Sequence, residues 1–254
     1  MKIRILESSP HDSSRHQYVS SYLINGSVAI DAGCLGFWDV PEKQEAVKHV
    51  FLTHAHMDHI ASLAIFTENV WTPAGDCPTI YGSRDTLDVL QRDVFNNSVW
   101  PDFIALSQRM PPFLRLCELK PEVPVTIDGL TVTPVPVNHL VPTLGFVVSD
   151  GDSAVIFGAD SGPTDRIWEI GHRTLGLRAA FIEACFPNSF AGLATASLHL
   201  TPELFAGEVA KLPIGTQVIA IHIKVRFREQ VIKELMELHL PSLQIGECEV
   251  DYNF

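Results

Sequence analysis

Thr53-His54-Ala55-His56-Met57-Asp58-His59 is the stretch on which the fold turns. It packs His54, His56, Asp58 and His59, all able to bind a metal, directly behind the short apolar run His49-Val50-Phe51-Leu52, which reads as a buried strand. In an extended loop, residues two apart point the same way, so His54 and His56 can grip one cation together. Asp58 and His59 stand where the next apolar stretch begins a helix. The chain turns there, and those two side chains can face a second cation. Neutral imidazoles mixed with carboxylates suit zinc, manganese or iron.

The same local grammar recurs downstream. His139 follows Val135-Pro136-Val137-Asn138, Asp160 follows Val155-Ile156-Phe157-Gly158-Ala159, and His222 follows Val218-Ile219-Ala220-Ile221. Each stands just after a β-run, and α/β folds build sites along the edge where such strand ends emerge. Alone, each would read as a turn residue or a satisfied histidine; together, behind the first motif, they read as ligands.

Further strands are predicted over Met1 to Glu7, Ser20 to Ile24, Val28 to Asp31, Thr131 to Val137, Leu144 to Val148, Ala154 to Phe157, Ala180 to Ile182 and Gln217 to Ile221. Asn25-Gly26 between the second and third of these is a hairpin-turn signal. Helical patterns fit Thr86 to Phe95, Pro202 to Leu212 and Val225 to Leu238. The stretch from about Phe95 to Leu119 holds Trp100-Pro101-Asp102-Phe103 and Met110-Pro111-Pro112-Phe113. It reads as an aromatic, proline-punctuated excursion: a lid, a dimer contact, or a surface loop packed on its own aromatics.

With 254 residues, 46% hydrophobic, the chain can bury a large core, and residues 1–254 read as a single α/β domain or two closely packed halves. No window approaches the roughly 20 apolar residues of a membrane helix, and the N-terminus does not read as a signal peptide, so the expectation is a cytoplasmic protein with no membrane partner. The net charge of −12 disfavours a long RNA or DNA partner but not a small anion, because bound metals supply local positive charge. The five cysteines form no C-x-x-C pair and read as buried small hydrophobes in a reducing compartment.

H-x-H-x-D-H followed in order by a His, an Asp and a His resembles the metallo-β-lactamase superfamily, over nearly the whole chain. Within it, the chain looks most like the class II 3′,5′-cyclic nucleotide phosphodiesterases. The phrases that carry this are Ser21-Tyr22-Leu23-Ile24-Asn25, Ala29-Ile30-Asp31-Ala32-Gly33, Val137-Asn138-His139-Leu140-Val141-Pro142-Thr143, Asp160-Ser161-Gly162-Pro163-Thr164, Glu183-Ala184-Cys185-Phe186-Pro187-Asn188 and Ser197-Leu198-His199-Leu200-Thr201-Pro202. The resemblance implies an αββα sandwich of two mixed β-sheets flanked by helices. It implies two divalent metals, zinc first, with manganese or iron as alternatives. His54, His56 and His139 would hold one, Asp58, His59 and His222 the other, and Asp160 would bridge them. Two departures stand out. Glu7-Ser8-Ser9-Pro10 lacks the glycines usual after the first strand, and the fourth motif carries Asp160 rather than a cysteine.

The implied reaction is hydrolysis of a 3′,5′-cyclic nucleotide, cyclic AMP or cyclic GMP, to the nucleoside 5′-monophosphate. Two metals about 3.5–4 Å apart share a water, lower its pKa toward about 7, and the hydroxide attacks phosphorus. Asp58 is expected both to ligate and to orient that hydroxide. The leaving oxygen needs a proton, for which His199 is the candidate. Related phosphodiesterases, tRNase Z among them, place a Glu–His pair near the scissile phosphate, and Glu183 would fix the His199 tautomer. The competing reading of His199 is a bystander of the helix cap formed by Thr201 and Pro202. His11, His16, His49, His172 and His239 fall outside the pattern, as does Lys224, and Phe95, Trp100 and Phe103 read as packing residues. Rival functions are a tRNase Z-like endonuclease, a thioester or lactone hydrolase, and a sensor that has lost catalysis. The partners expected are a cyclic nucleotide and, by analogy with the family, a second copy of the chain.

Overall fold

The computed structural model describes residues 1–9 and 16–254, so His11 and Pro10 lie outside the described residues. The chain divides into two compact units. The first comprises Lys2–Lys120 with Cys248–Tyr252, the second Pro121–Glu247 with Met1 and Asn253–Phe254. Two mixed seven-stranded sheets with helices carry the architecture expected of the metallo-β-lactamase fold.

The first unit contributes β1 (Lys2–Ile5), β2 (Tyr22–Ile24), β3 (Val28–Ile30), β4 (His49–Phe51), β5 (Thr79–Gly82) and β6 (Arg115–Glu118). The second contributes β7 (Val125–Ile127), β8 (Leu130–Val137), β9 (Thr143–Ser149), β10 (Ala154–Phe157), β11 (Leu177–Glu183), β12 (Gln217–Ile221) and β13 (Leu243–Ile245). A last strand, β14 (Asp251–Asn253), pairs at the β1 edge, and the sheet orders are β14-β1-β2-β3-β4-β5-β6 and β13-β12-β11-β10-β9-β8-β7.

The Asn25-Gly26 turn joins β2 to β3 as an antiparallel pair. Both residues take left-handed φ, 50° and 82°, the conformation that lets a tight turn follow the twist of its strands. Beyond the hairpin the sheet becomes parallel: β3 pairs β4, β4 pairs β5 and β5 pairs β6. Parallel strands send their carboxyl ends to one edge, so the residues after β3 and β4 become neighbours. In the second sheet, β10, β11 and β12 run parallel, and two antiparallel steps through β9 give β8 the same direction. His139, Asp160, Glu183 and His222 therefore emerge along one edge. Pro134 and Pro136 sit inside β8, where β7 no longer pairs; an unpaired strand side tolerates their missing N–H.

Each unit has its own core. In the first, Phe66, Leu35, Val50, Leu63 and Ile80 are fully buried; in the second, Ile156, Ile167, Phe205, Val231 and Leu235 are. Within the stretch expected as an excursion, Phe95, Phe103, Leu114 and Leu119 are buried, Val99 and Met110 are exposed, and its end forms strand β6. Phe103 stacks on Phe113 at 3.9 Å, and Phe113 on Trp71 at 5.4 Å. The helix predicted over Thr86 to Phe95 begins at Arg84 and loosens at Leu90–Val94 into a π-turn, closed by the Phe95 N–H donating to the Leu90 carbonyl at 2.8 Å. That widening seats Phe95 in the core. The last helix opens with a 3₁₀ turn at Val225–Phe227 before its α portion, Arg228–Glu237. Among the described residues, no helix is long and apolar enough to cross a membrane.

Candidate functional site

The expected ligands fall into two groups, one in each unit. In the first unit, His54 and His56 lie in the loop after β4, and Asp58 and His59 open the helix Met57–Ile60. The imidazole rings of His54 and His56 stand 4.6 Å apart, and those of His54 and His59 4.1 Å apart. His59 Nε2 lies 4.0 Å from the Asp58 carboxylate.

What orients these rings is a residue that sequence reasoning missed. Asp31, fully buried at the end of β3, accepts from His59 Nδ1 at 2.7 Å, from the Thr53 N–H at 2.8 Å and from the Thr53 hydroxyl at 2.9 Å. A carboxylate accepts only, so His59 carries its proton on Nδ1 and presents an Nε2 lone pair. The Thr53 hydroxyl spends its one proton on Asp31. Its oxygen, 2.9 Å from His54 Nδ1, therefore accepts, and His54 too presents Nε2. One buried carboxylate thus sets two tautomers, as outer partners of metal-bound histidines do. Burial pushes the Asp31 carboxyl up, and the facing His59 and the hydrogen bonds from His59 and Thr53 oppose it. The signal was present in the sequence: Asp31 follows the apolar run Val28-Ala29-Ile30 as Asp160 and His222 follow theirs.

The backbone of this loop docks against the β3 end. Ser20 N–H donates to the Asp58 carbonyl at 2.8 Å and Ala32 N–H to the His59 carbonyl at 2.8 Å. Gly33 lies between them. A Cβ there would overlap the Asp58 carbonyl and approach both Ser20 N and Ser20 O to 2.8 Å.

In the second unit, donor atoms of His139, Asp160 and His199 lie within 4.8 Å of one another. His222 Nε2 is 3.2 Å from the Asp160 carboxylate and 3.3 Å from Lys224 Nζ. His139 Nδ1 donates to the Leu198 carbonyl at 3.1 Å, which again directs an Nε2 lone pair outward. His199 Nδ1 donates to Glu183 Oε1 at 2.8 Å. Glu183 is buried and held in place by the Ser161 N–H (2.8 Å) and the Leu200 N–H (3.1 Å). Burial works against a charged His199, yet the hydrogen bond and charge of Glu183, helped by Asp160, outweigh it and Lys224, so its pKa is raised. Thr201 caps the helix Pro202–Val209 through the Leu204 N–H without using His199.

Three of these loops bend through left-handed φ at non-glycine residues: Asp31 (59°), Ala159 (55°) and His222 (54°). So does Leu198 (52°), whose carbonyl holds His139. Such residues cost roughly 1–3 kcal/mol each and gather where geometry serves a site. Of the other histidines, His49 bonds the Tyr81 hydroxyl and His172 the Lys211 carbonyl.

The donor set fits divalent cations: imidazoles whose Nδ1 is tied to an oxygen acceptor, beside carboxylates. Two mixed sheets bearing such donors at their strand ends define the class of metallo-β-lactamase-fold hydrolases, a fold that implies a divalent metal. The chain belongs to the β-lactamase superfamily domain family, whose match spans residues 23–223. It is 27% identical over 228 residues, 80% of its length, to a probable 3′,5′-cyclic-nucleotide phosphodiesterase of Yersinia pestis. Over 127 residues, 45% of its length, it is 32% identical to a ribonuclease Z of Mycobacterium sp. strain KMS. The chain spans 64% and 43% of these two relatives' own lengths. Among solved structures, unliganded yeast PDE1 superposes with a TM-score of 0.79 at 19% identity, over 96% of each chain, a likeness of fold.

Proposed function

We propose that this chain is a metal-dependent phosphodiesterase that hydrolyses 3′,5′-cyclic nucleotides to nucleoside 5′-monophosphates. His54, His56, Asp58 and His59 of the first unit and His139, Asp160 and His222 of the second are the ligands of two divalent cations, zinc by preference. When bound, such cations polarise phosphoryl oxygens and bring the pKa of a bound water toward about 7.

The chain's own residues supply the rest. Asp58 orients the attacking water. Attack forms a P–O bond to that water's oxygen and breaks the P–O3′ bond. O3′ leaves as an alkoxide and takes a proton from His199 Nε2. The single observation that carries this is the Glu183–His199 pair, 2.8 Å apart: a buried carboxylate, held by two backbone N–H groups, fixes Nδ1–H and favours the imidazolium that can donate from Nε2. A thioester or lactone hydrolase has no comparable use for that pair.

Similarity to a ribonuclease Z makes precursor tRNA the competing substrate. The net charge of −12 weighs against it, because RNA binding draws on clustered cationic side chains. The test is metal analysis of the purified protein with turnover of cyclic AMP, cyclic GMP, precursor tRNA and a thioester measured on the same preparation. Two metals per chain and turnover of a cyclic nucleotide are expected. Cleavage of precursor tRNA or of the thioester with no cyclic nucleotide turnover overturns the reading.

A further inference from the structure

Cys185 has no part in that reaction, yet the fold sets it among residues that do. It lies two residues past Glu183, the end of β11, and is fully buried. The parallel register that pairs Glu183 with Ile221 brings it beside the β12 end. Ala184 N–H donates to the Ile221 carbonyl at 3.0 Å and Lys224 N–H to the Cys185 carbonyl at 3.3 Å, clamping the two loops together. As a result, the Cys185 sulfur and one ring nitrogen each of His199 and His222 lie within 4.8 Å of one another.

Around a tetrahedral cation, bonds of about 2.3 Å to sulfur and about 2.0–2.1 Å to nitrogen set the donors roughly 3.3–3.6 Å apart. Closing the shell from separations within 4.8 Å takes side-chain movements of up to about 1–1.5 Å. Glu183 already ties up His199 Nδ1, which leaves Nε2 to ligate. One thiolate with two imidazoles is a softer set than the imidazoles and carboxylates that carry the proposed hydrolysis, and thiolate selects thiophilic d¹⁰ cations.

We propose that Cys185, His199 and His222 form a further, inhibitory site for a thiophilic d¹⁰ cation, with cadmium(II) as the test ion. On binding, the Cys185 S–H bond and the His199 Nε2–H bond break, both protons pass to solvent, and sulfur–metal and nitrogen–metal bonds form, with no change of oxidation state. Binding takes His199 out of proton transfer and draws His222 from its other work. That inhibitory consequence rests on the phosphodiesterase reading; the binding itself does not.

The experiment titrates cadmium(II) into the metal-loaded holoenzyme and into its Cys185→Ser variant. Thiolate-to-cadmium charge-transfer absorption and turnover are followed together. Serine keeps the shape and replaces a soft donor with a hard, neutral one. The wild type is expected to gain a charge-transfer band that saturates at one cadmium per chain and to lose activity in step with it. Cys185→Ser is expected to lack that band, to keep its basal turnover, and to need more than about tenfold more cadmium for half-inhibition, a hydroxyl being a poor ligand for a soft cation. A band of equal size in both proteins, or equal inhibition of both, overturns the proposal. If neither protein turns over a cyclic nucleotide, the function assigned above fails while the absorption band still decides this site.

Discussion

Glu183 and His199 show how much chemistry a single hydrogen bond can decide. The carboxylate accepts from two backbone N–H groups as well as the imidazole, which hold it against swinging away. His199→Ala deletes the proton donor and leaves the metal ligands in place. General acid–base groups contribute typically about 10²–10⁴-fold, so kcat is expected to fall by that factor with metal content unchanged. Glu183→Gln is expected to reproduce much of the loss, because an amide can present its NH₂ to Nδ1 and reverse the tautomer. Steady-state kinetics with metal analysis of both variants is the check; full turnover by a metal-replete His199→Ala protein would remove His199 from the reaction. His54, His56, Asp58 and His59 are legible in the sequence because six consecutive residues carry them. The pairing of Asp31 with His59, unlike its place after a β-run, and that of the Leu198 carbonyl with His139 are not. Asp31 lies twenty-eight residues before the ring it orients, the Leu198 carbonyl is a backbone group fifty-nine residues from His139, and no local pattern encodes either pairing.

At the scale of elements, strand direction did what the motifs alone could not. The runs ending before His139, Asp160 and His222 are readable as strands, and the structure starts and ends them at or within a few residues of those readings. That they share a direction depends on β9 being antiparallel to both neighbours, a long-range fact. Gly33 marks a similar limit. Its backbone is where the β3 end meets the metal-binding loop, and any side chain there collides with backbone atoms that cannot rotate away. Gly33→Ala is therefore expected to destabilise the protein by roughly 1–3 kcal/mol, the usual cost of forcing atoms into a packed site. The displaced Asp58 should also weaken metal retention. Chemical denaturation and metal affinity measured on the same variant test both effects; wild-type values in each would show that Ser20 and Asp58 shift without cost. The Phe95 to Leu119 stretch does both jobs at once: its proline-rich turns lie at the surface while Phe95 and Phe103 serve the core.

For the whole molecule, the proposed cations are part of the folded state, since ligands this far apart in sequence assemble only when the chain folds. A ligand bound by the native state alone adds about 2.7 kcal/mol at a hundredfold excess over its Kd. A chain of this size shifts its Tm by about 2–4 °C per kcal/mol, so removing one such cation should lower Tm by roughly 5–11 °C. Without the cations, the Asp58 and Asp160 carboxylates lose the counter-charge that a metal would supply. The second unit keeps the contact of Asp160 with His222, which in turn meets Lys224, and the first keeps the hydrogen bonds of the Asp31 network. Secondary structure should therefore survive chelation while thermal stability falls. The measurement is a thermal melt of as-purified, chelated and zinc-restored protein, with circular dichroism of each before heating. Recovery of Tm on adding zinc back separates metal loss from damage by the chelator. A chelated protein shown by elemental analysis to be metal-free, yet melting with the untreated one, would mean that no cation occupies these ligands in the native protein.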